Sequence, residues 1–155
     1  MSIPALDAMG LLPAGVHECT LEEIGDAFGG SSDGHRRDLF KNLVWFAGEA
    51  KRLGIGQVLY VDGSYTTGKA HPNDIDIVLV LAPSTPSVDA TMKSDEGKRI
   101  LNPILKDTMH LHVFFEGASA AAIGMANFFQ GLRPDEARVR GLSPGHRRGI
   151  LMVRL

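Results

Sequence analysis

The fold is decided by the stretch Leu59-Tyr60-Val61-Asp62-Gly63-Ser64-Tyr65-Thr66-Thr67-Gly68-Lys69-Ala70-His71-Pro72-Asn73-Asp74-Ile75-Asp76-Ile77-Val78-Leu79. It consists of an apolar strand, a turn of small residues that contains Gly63-Ser64, and a second strand that opens with two aspartates. Side chains alternate between the faces of a strand, so Asp74 and Asp76 are predicted to share one face. Two carboxylates on one face, beside backbone amides that glycine leaves accessible, suit a divalent metal that carries phosphate groups.

The same turn contains a near match to the phosphate-binding P-loop, Gly63-x-x-x-x-Gly68-Lys69. That motif needs Ser or Thr after its lysine to hold magnesium, and a following helix whose N-terminus binds phosphate. Here Ala70 follows Lys69, and His71-Pro72-Asn73 leads into another strand. We therefore exclude the P-loop interpretation.

Gly63-Ser64 and Asp74-Ile75-Asp76-Ile77, separated by nine residues, resemble the signature of the polymerase-β-like nucleotidyltransferases. The resemblance implies an α+β fold with a mixed β-sheet flanked by helices. It also implies that Gly63 and Ser64 bind the triphosphate, while the catalytic Asp74 and Asp76 bind Mg²⁺ or Mn²⁺. Lys69, in the connecting loop, could reach a phosphate or could be an ordinary exposed lysine.

A narrower resemblance involves both ends of the chain. The start Gly10-Leu11-Leu12-Pro13-Ala14-Gly15-Val16-His17 and the end Arg148-Gly149-Ile150-Leu151 are similar, with the Gly-Ser hairpin, to a group of small prokaryotic nucleotidyltransferase-like proteins. The function of that group is poorly defined. The similarity therefore bears on the fold and says little about the substrate.

The family usually carries a third carboxylate on the next core strand, but the aligned position here is His112. His112 could act as a metal ligand or base, the site could work with two acids, or catalysis could be lost while binding remains. It could also be an ordinary histidine near a strand end. Glu116, at the far end of this strand, is a weaker candidate for the third acid. Asp62, directly before Gly63, is expected to be a turn residue rather than a ligand.

These observations predict a minimal nucleotidyltransferase that moves a nucleoside monophosphate from an NTP to a protein, RNA or small-molecule acceptor. Such a small chain would suit a homo-oligomer or a partner, as in a toxin–antitoxin or defence system. The alternative is a catalytically degenerate protein of the same fold that binds a nucleotide or a partner. A third hypothesis is an RNA-binding module that uses the C-terminal arginines, with strongly salt-dependent affinity.

Composition agrees with one domain spanning residues 1–155, because domains most often contain roughly 100–150 residues. No apolar run approaches the roughly 20 residues that span a bilayer, and the N-terminus lacks a signal-peptide pattern. With Cys19 as the single cysteine, an internal disulfide is excluded, and we expect a cytoplasmic protein without membrane contact. Charge is uneven: residues 1–35 lack Lys and Arg, whereas arginines accumulate after Gly131. We favour the interpretation that the acidic N-terminal segment and the basic C-terminal segment contact each other or are exposed to solvent.

Hydrophobic spacing and capping residues predict the remaining elements. We expect residues 1–19 to be irregular, residues 131–147 to form an exposed loop, and the pairs Trp45-Phe46 and Phe128-Phe129 to lie in the core. His35-Arg36-Arg37 is expected on a solvated helix face. The predicted strands are Gln57–Asp62, Asp74–Leu81, His110–Phe115 and Gly149–Leu155, and the predicted helices begin at Thr20, at Ser32 or Asp33, near Asp95 and at Ala118.

Overall fold

A computed structural model of the chain describes residues 2–30, 33–102, 105–117 and 123–155. Within these ranges, five strands form a single sheet in the order β1-β5-β2-β3-β4. The β1–β5 and β3–β4 pairs are parallel, and β2 is antiparallel to both β3 and β5. The predicted α+β class with a mixed sheet is confirmed. The strands are β1 (Gly15–Glu18), β2 (Gly56–Asp62), β3 (Ile75–Leu81), β4 (Leu111–Glu116) and β5 (Gly149–Arg154).

Helices connect the strands, and their ends follow local capping chemistry. Thr20 and Glu23 form the predicted capping box of the first helix. Asp33 caps the second helix, which ends at Gly54 in the left-handed conformation with φ of 67°. The helices are α1 (Leu21–Phe28), α2 (Gly34–Leu53), α3 (Pro86–Lys93), α4 (Asp95–Ile100), α5 (Leu105–Met109), α6 (Ile123–Phe129) and α7 (Pro134–Val139).

The two faces of the sheet have different roles. Odd-numbered residues of β3, such as Ile75, Ile77 and Leu79, belong to the main apolar core, which also contains Leu43 and Phe46 of α2. Even-numbered residues of β3 point to the opposite face because side chains alternate along a strand. Asp76 therefore lies on the face that does not pack against α2.

The N-terminal segment is more ordered than the sequence predicts. Residues 1–19 were expected to be irregular, but Gly15–Glu18 form edge strand β1, which pairs with β5 from Gly149 to Met152. The four residues of β1 carry no recognisable strand pattern of their own. The strand is stabilised by pairing with a strand more than a hundred residues later in the chain. The Glu18 carboxylate accepts a 2.7 Å hydrogen bond from Arg154, so the acidic and basic ends meet as favoured above.

The segment 131–147 is not a simple exposed loop. It contains α7, and Gly131 forms an antiparallel bridge with Arg147. Leu132 and Ala137 are buried with Leu11 of the N-terminal segment in a small second core. Prolines and glycines suggested a loop, but Pro134 occupies the first turn of α7, where its missing N–H costs nothing.

Two further predictions differ from the structure. The connection after β3 contains α3 as well as the expected helix near Asp95, because Thr85 caps a helix with Pro86 in its first turn. Of the helix expected from Ala118 to Gln130, Ile123–Phe129 is observed, and residues 118–122 lie outside the described residues. Across the described ranges, none of the helices has the length and apolar character needed to cross a membrane.

Candidate functional site

A cavity of about 710 Å³ lies beside the ends of β2 and β3. It brings together all the residues that the sequence assigned to a site, although they come from strands β3 and β4 and from the loop that connects β2 to β3. These residues are Gly63, Ser64, Lys69, Asp74, Asp76 and His112. Residues 70–74, all of them described, form no helix before β3 begins at Ile75, and the short 3-10 helix Ser64–Thr66 lies before Lys69, which confirms the exclusion of a P-loop.

Three polar residues occupy one row across the sheet. Asp62 of β2 is the register partner of Asp76 in β3, which in turn is the register partner of His112 in β4. Directly opposed residues project from the same face with Cβ atoms roughly 5 Å apart. Two carboxylates and an imidazole therefore share one edge of the cavity.

His112 is in direct contact with one carboxylate of this row. Its Nδ1 atom lies 3.2 Å from Oδ1 of Asp76 and, when protonated, donates a hydrogen bond to it. Burial raises the pKa of Asp76 above its ordinary value, and the neighbouring charge of Asp74 raises it further, whereas His112 and Arg133 lower it. His112 thus offsets part of the electrostatic cost of holding Asp76 ionised.

Gly63 allows the turn to approach Asp76 closely. Its φ of 84° and ψ of −165° lie in a region that is essentially restricted to glycine. A Cβ atom at this position would stand 2.7 Å from Oδ2 of Asp76. Glycine is therefore required here for both the backbone conformation and the space between the turn and the carboxylate.

Arg148, the residue directly before β5, is hydrogen-bonded to the turn that contains Gly63 and Ser64. Its side chain donates hydrogen bonds to the Gly63 carbonyl at 3.1 Å and to Thr66 Oγ1 at 2.6 Å. Its Nη2 atom also lies 3.1 Å from Oδ1 of Asp62, and Arg148 is only 2% exposed. A buried guanidinium therefore holds the turn and the end of β2 together.

A second buried arginine holds the other side of the turn. Arg36 of α2 donates to the carbonyls of Tyr65, Thr67 and Lys69, and its guanidinium lies 5.3 Å from the centre of the Tyr65 ring. The prediction of a solvated face was therefore wrong for Arg36. Helical spacing cannot reveal that the turn folds back over this residue.

Asp62 lines the candidate site, although the sequence predicts it as a turn residue. It ends β2 rather than forming part of the turn, it is 5% exposed, and it lines the cavity. Burial raises its pKa to about 6, while Arg148 and the Gly63 N–H act in the opposite direction. Within the described residues its Oδ1 accepts no hydrogen bond, so its contact with Arg148 is an ion pair alone. The feature of the sequence that could have identified Asp62 is its position as an acidic residue at the end of a strongly apolar strand.

The opposite part of the cavity is aromatic and partly charged. Phe114, Phe128 and Phe129 line it together with Arg133 and Glu136. Phe128 is 71% exposed, so the expectation that it lies in the core was wrong. Ala126 of the same helix is buried, whereas Phe128, in the last turn of α6, lines the cavity.

Residues 4–154 match a protein family described as a family of unknown function, DUF6932. The chain belongs to this family. No curated protein and no solved structure matches the chain. The DUF6932 match covers the sheet, the hairpin and the cavity residues as one unit. It provides no activity, so the nucleotidyltransferase interpretation remains a prediction.

The donor atoms of this DUF6932 chain are compatible with a magnesium site. Mg²⁺ is usually bound by one or two carboxylates, several waters and the phosphates of a substrate. Asp74 and Asp76 provide two hard oxygen donors, whereas Oδ1 of Asp62 already faces the Arg148 guanidinium at 3.1 Å. In the described part of the chain, no group of three or more His, Cys, Asp and Glu side chains is placed to hold a metal ion, so waters and substrate phosphates would have to complete the coordination.

Proposed function

We propose that this protein is a minimal nucleotidyltransferase that transfers a nucleoside monophosphate from an NTP to an acceptor with the help of Mg²⁺ or Mn²⁺. One observation carries the proposal: Gly63, Ser64, Asp74 and Asp76 line the same cavity, with the Gly63 backbone against the Asp76 carboxylate. This juxtaposition is what the resemblance to polymerase-β-like nucleotidyltransferases requires. A mixed sheet with the paired aspartates at the start of β3 is consistent with it.

In this proposal each residue has a distinct task. Asp74 and Asp76 hold the metal, which supplies charge neutralisation for the phosphates. The Gly63–Ser64 turn, fixed by its two arginines, offers backbone and hydroxyl groups to the triphosphate. Lys69 is exposed at the cavity and adds positive charge where phosphates would enter.

His112 acts in this proposal through Asp76. Its hydrogen bond to Oδ1 fixes the orientation of the carboxylate and favours the ionised form that a metal requires. The imidazole therefore replaces the third acid by supporting one ligand rather than by adding another negative charge.

A labelling experiment tests the proposal. The protein is incubated with each NTP, labelled either at the α- or at the γ-phosphate, together with Mg²⁺ or Mn²⁺ and a cell extract. We expect transfer of the α-label and loss of transfer in Asp74→Asn and Asp76→Asn. Asp38→Asn, which changes an exposed acid on α2, is the matched control and should retain transfer. Transfer of the γ-label alone would indicate a phosphotransferase and contradict the proposal.

The nature of the labelled product identifies the acceptor. Sensitivity to protease, to ribonuclease or to neither distinguishes a protein, an RNA and a small molecule. A labelled protein encoded beside this chain would favour a toxin–antitoxin pair. A homo-oligomer is tested separately by light scattering of the purified protein.

A second candidate is a nucleotide-binding protein of the same fold without turnover. The observation that favours it is His112, which occupies the position of the third acid and is engaged with Asp76. Calorimetric binding of NTP with metal, combined with no transfer of either label under any condition, would support this candidate over the enzyme.

The C-terminal arginines give little support to an RNA-binding surface. Arg148 is buried, Arg154 pairs with Glu18, and Arg147 donates to Asn127. Arg133 lies near Asp135 and Glu136. These four side chains have partners within the molecule, which lowers the positive charge they can offer to phosphates.

A further inference from the structure

Four aromatic rings form a continuous chain along the cavity. The His112 ring centre lies 4.3 Å from that of Phe114, which lies 5.1 Å from Phe129, which lies 5.4 Å from Phe128. These separations are those of packed aromatic pairs. All four residues line the cavity, and we refer to them as the aromatic shelf.

The aromatic shelf begins at His112, which is also the last residue of the row formed by Asp62, Asp76 and His112. His112 contacts Asp76 through Nδ1 and Phe114 through its ring, so a single imidazole joins the acidic part of the cavity to the aromatic part. A ligand seated here would meet carboxylates and the Gly-Ser turn at one end and flat apolar surfaces at the other. This polarity matches a nucleotide, with phosphates at one end and a planar base at the other.

Exposure by itself does not distinguish the shelf, because single exposed apolar residues are common on protein surfaces. Phe115 is 37% exposed on β4 next to Phe114, but it does not line the cavity. Phe128 differs in being both 71% exposed and part of the cavity wall. Its ring meets that of Phe129 at an interplanar angle of 82°, and its exposure leaves ring surface available to a ligand.

We propose that the aromatic shelf binds the nucleobase of the same NTP whose phosphates the Gly63–Ser64 turn receives. This inference rests on the proposed function and adds the base-binding half of the site. A cavity of about 710 Å³ falls within the usual range of roughly 300–1,000 Å³ for small-molecule sites. Stacking on aromatic rings accepts every base, because each base has a π face, so the shelf confers affinity for nucleosides with limited base selectivity.

The test compares nucleotides with a ligand that lacks a base. Binding of ATP, GTP, CTP and UTP, and of inorganic tripolyphosphate, is measured by calorimetry in the presence of Mg²⁺ for the wild type, Phe128→Ala, Phe128→Tyr and Phe115→Ala. We expect Phe128→Ala to weaken binding of the NTPs by about tenfold or more and to leave tripolyphosphate binding unchanged. Phe128→Tyr retains a ring and should restore the affinity, and Phe115→Ala should behave as the wild type.

The outcomes separate the two proposals. Equal binding of NTPs and tripolyphosphate by the wild type, or equal NTP affinity in Phe128→Ala and wild type, overturns the base-binding inference and leaves the proposed function standing. Failure of the wild type to bind any of these ligands overturns both. Circular dichroism of Phe128→Ala confirms folding, which is expected because the side chain is mostly exposed.

Discussion

The Nδ1 atom of His112 lies 3.2 Å from Oδ1 of Asp76, so the imidazole contacts the carboxylate that the proposal assigns to metal binding. The contact joins β3 to β4 in the row that also contains Asp62. It places a histidine beside Asp76 at the position where the resemblance predicts a further acid. A histidine adds no negative charge at this position, whereas an acid would add one.

Replacing this histidine by an acid should make folding depend on a divalent metal. In His112→Asp, a third carboxylate adjoins Asp76, and like charges opposite one another destabilise a sheet. We expect a lower free energy of unfolding without metal, and a larger stabilisation by Mg²⁺ than in the wild type. Urea denaturation with and without Mg²⁺ measures both effects. His110→Asp, just before β4, is the control, and equal Mg²⁺ responses in the two variants would contradict the expectation.

Removal of the buried Arg148 should strongly destabilise the protein. Arg148→Met leaves Asp62 without its ion-pair partner and Thr66 Oγ1 without its donor. Breaking a buried ion pair by removing one partner costs about 3–5 kcal/mol. The measurement is the free energy of unfolding from urea denaturation. Arg154→Met is the matched control at the other end of β5, where the Glu18 pair is exposed and little change is expected. Similar losses in both variants would contradict a special role for Arg148.

Gly63→Ala should destabilise the hairpin and impair the site. The φ of 84° is unfavourable for alanine, and its Cβ would stand 2.7 Å from Asp76 Oδ2. Backbone strain of this kind costs on the order of 1–3 kcal/mol. Gly48→Ala, in the middle of α2 with open space around a Cβ, should instead stabilise by about 0.5–1 kcal/mol. Thermal and urea unfolding of both variants check the opposite signs, and a neutral Gly63→Ala would contradict the prediction.

Asp62 should make the free energy of unfolding fall as the pH rises towards about 6. Its folded-state pKa of about 6 exceeds the ordinary value of 3.8, so the folded state binds this proton more tightly than the unfolded state. Its contribution is fully present below about pH 4 and is lost as the pH rises to about 6. The change is on the order of 3 kcal/mol, since each pKa unit corresponds to about 1.4 kcal/mol.

The measurement compares urea denaturation of the wild type and Asp62→Asn between pH 3.5 and about 7. Other titrating groups are common to both proteins, so the difference between the two curves reports Asp62. We expect the wild type to lose stability relative to Asp62→Asn as the pH rises through this interval. Parallel curves would show that Asp62 is not buried as described. Asp38→Asn, at an exposed position of α2, should run parallel to the wild type.

Local sequence signals were sufficient for much of the fold. The capping box at Thr20, the glycine stop at Gly54 and the apolar runs of β2, β3 and β5 act over a few residues. The same is true of the hairpin, where Gly63-Ser64 and the spacing of Asp74 and Asp76 predicted a shared face. These features depend on backbone propensity and side-chain alternation, which the neighbouring residues alone dictate.

Elements stabilised by distant partners could not be predicted in this way. Strand β1 exists because β5 offers it a parallel partner, and α7 is fixed by the burial of Ala137 against Leu11 and Leu132. Short segments of this kind carry too little local preference to form alone. Their prolines and glycines were therefore mistaken for signs of irregular structure.

The sequence by itself determined the turn, the two adjacent carboxylates and the strand that bears His112, since each follows from residues close together in the chain. Only the tertiary structure decided that Asp62 faces Asp76, that Arg36 and Arg148 hold the turn, and that Phe128 lines the cavity. Sheet register and burial set these relationships, and they bring together residues that lie far apart in the chain, as with Gly63 and Arg148, which are 85 positions apart. The acids of the site are encoded locally, whereas the charges and rings that surround them are brought there by folding.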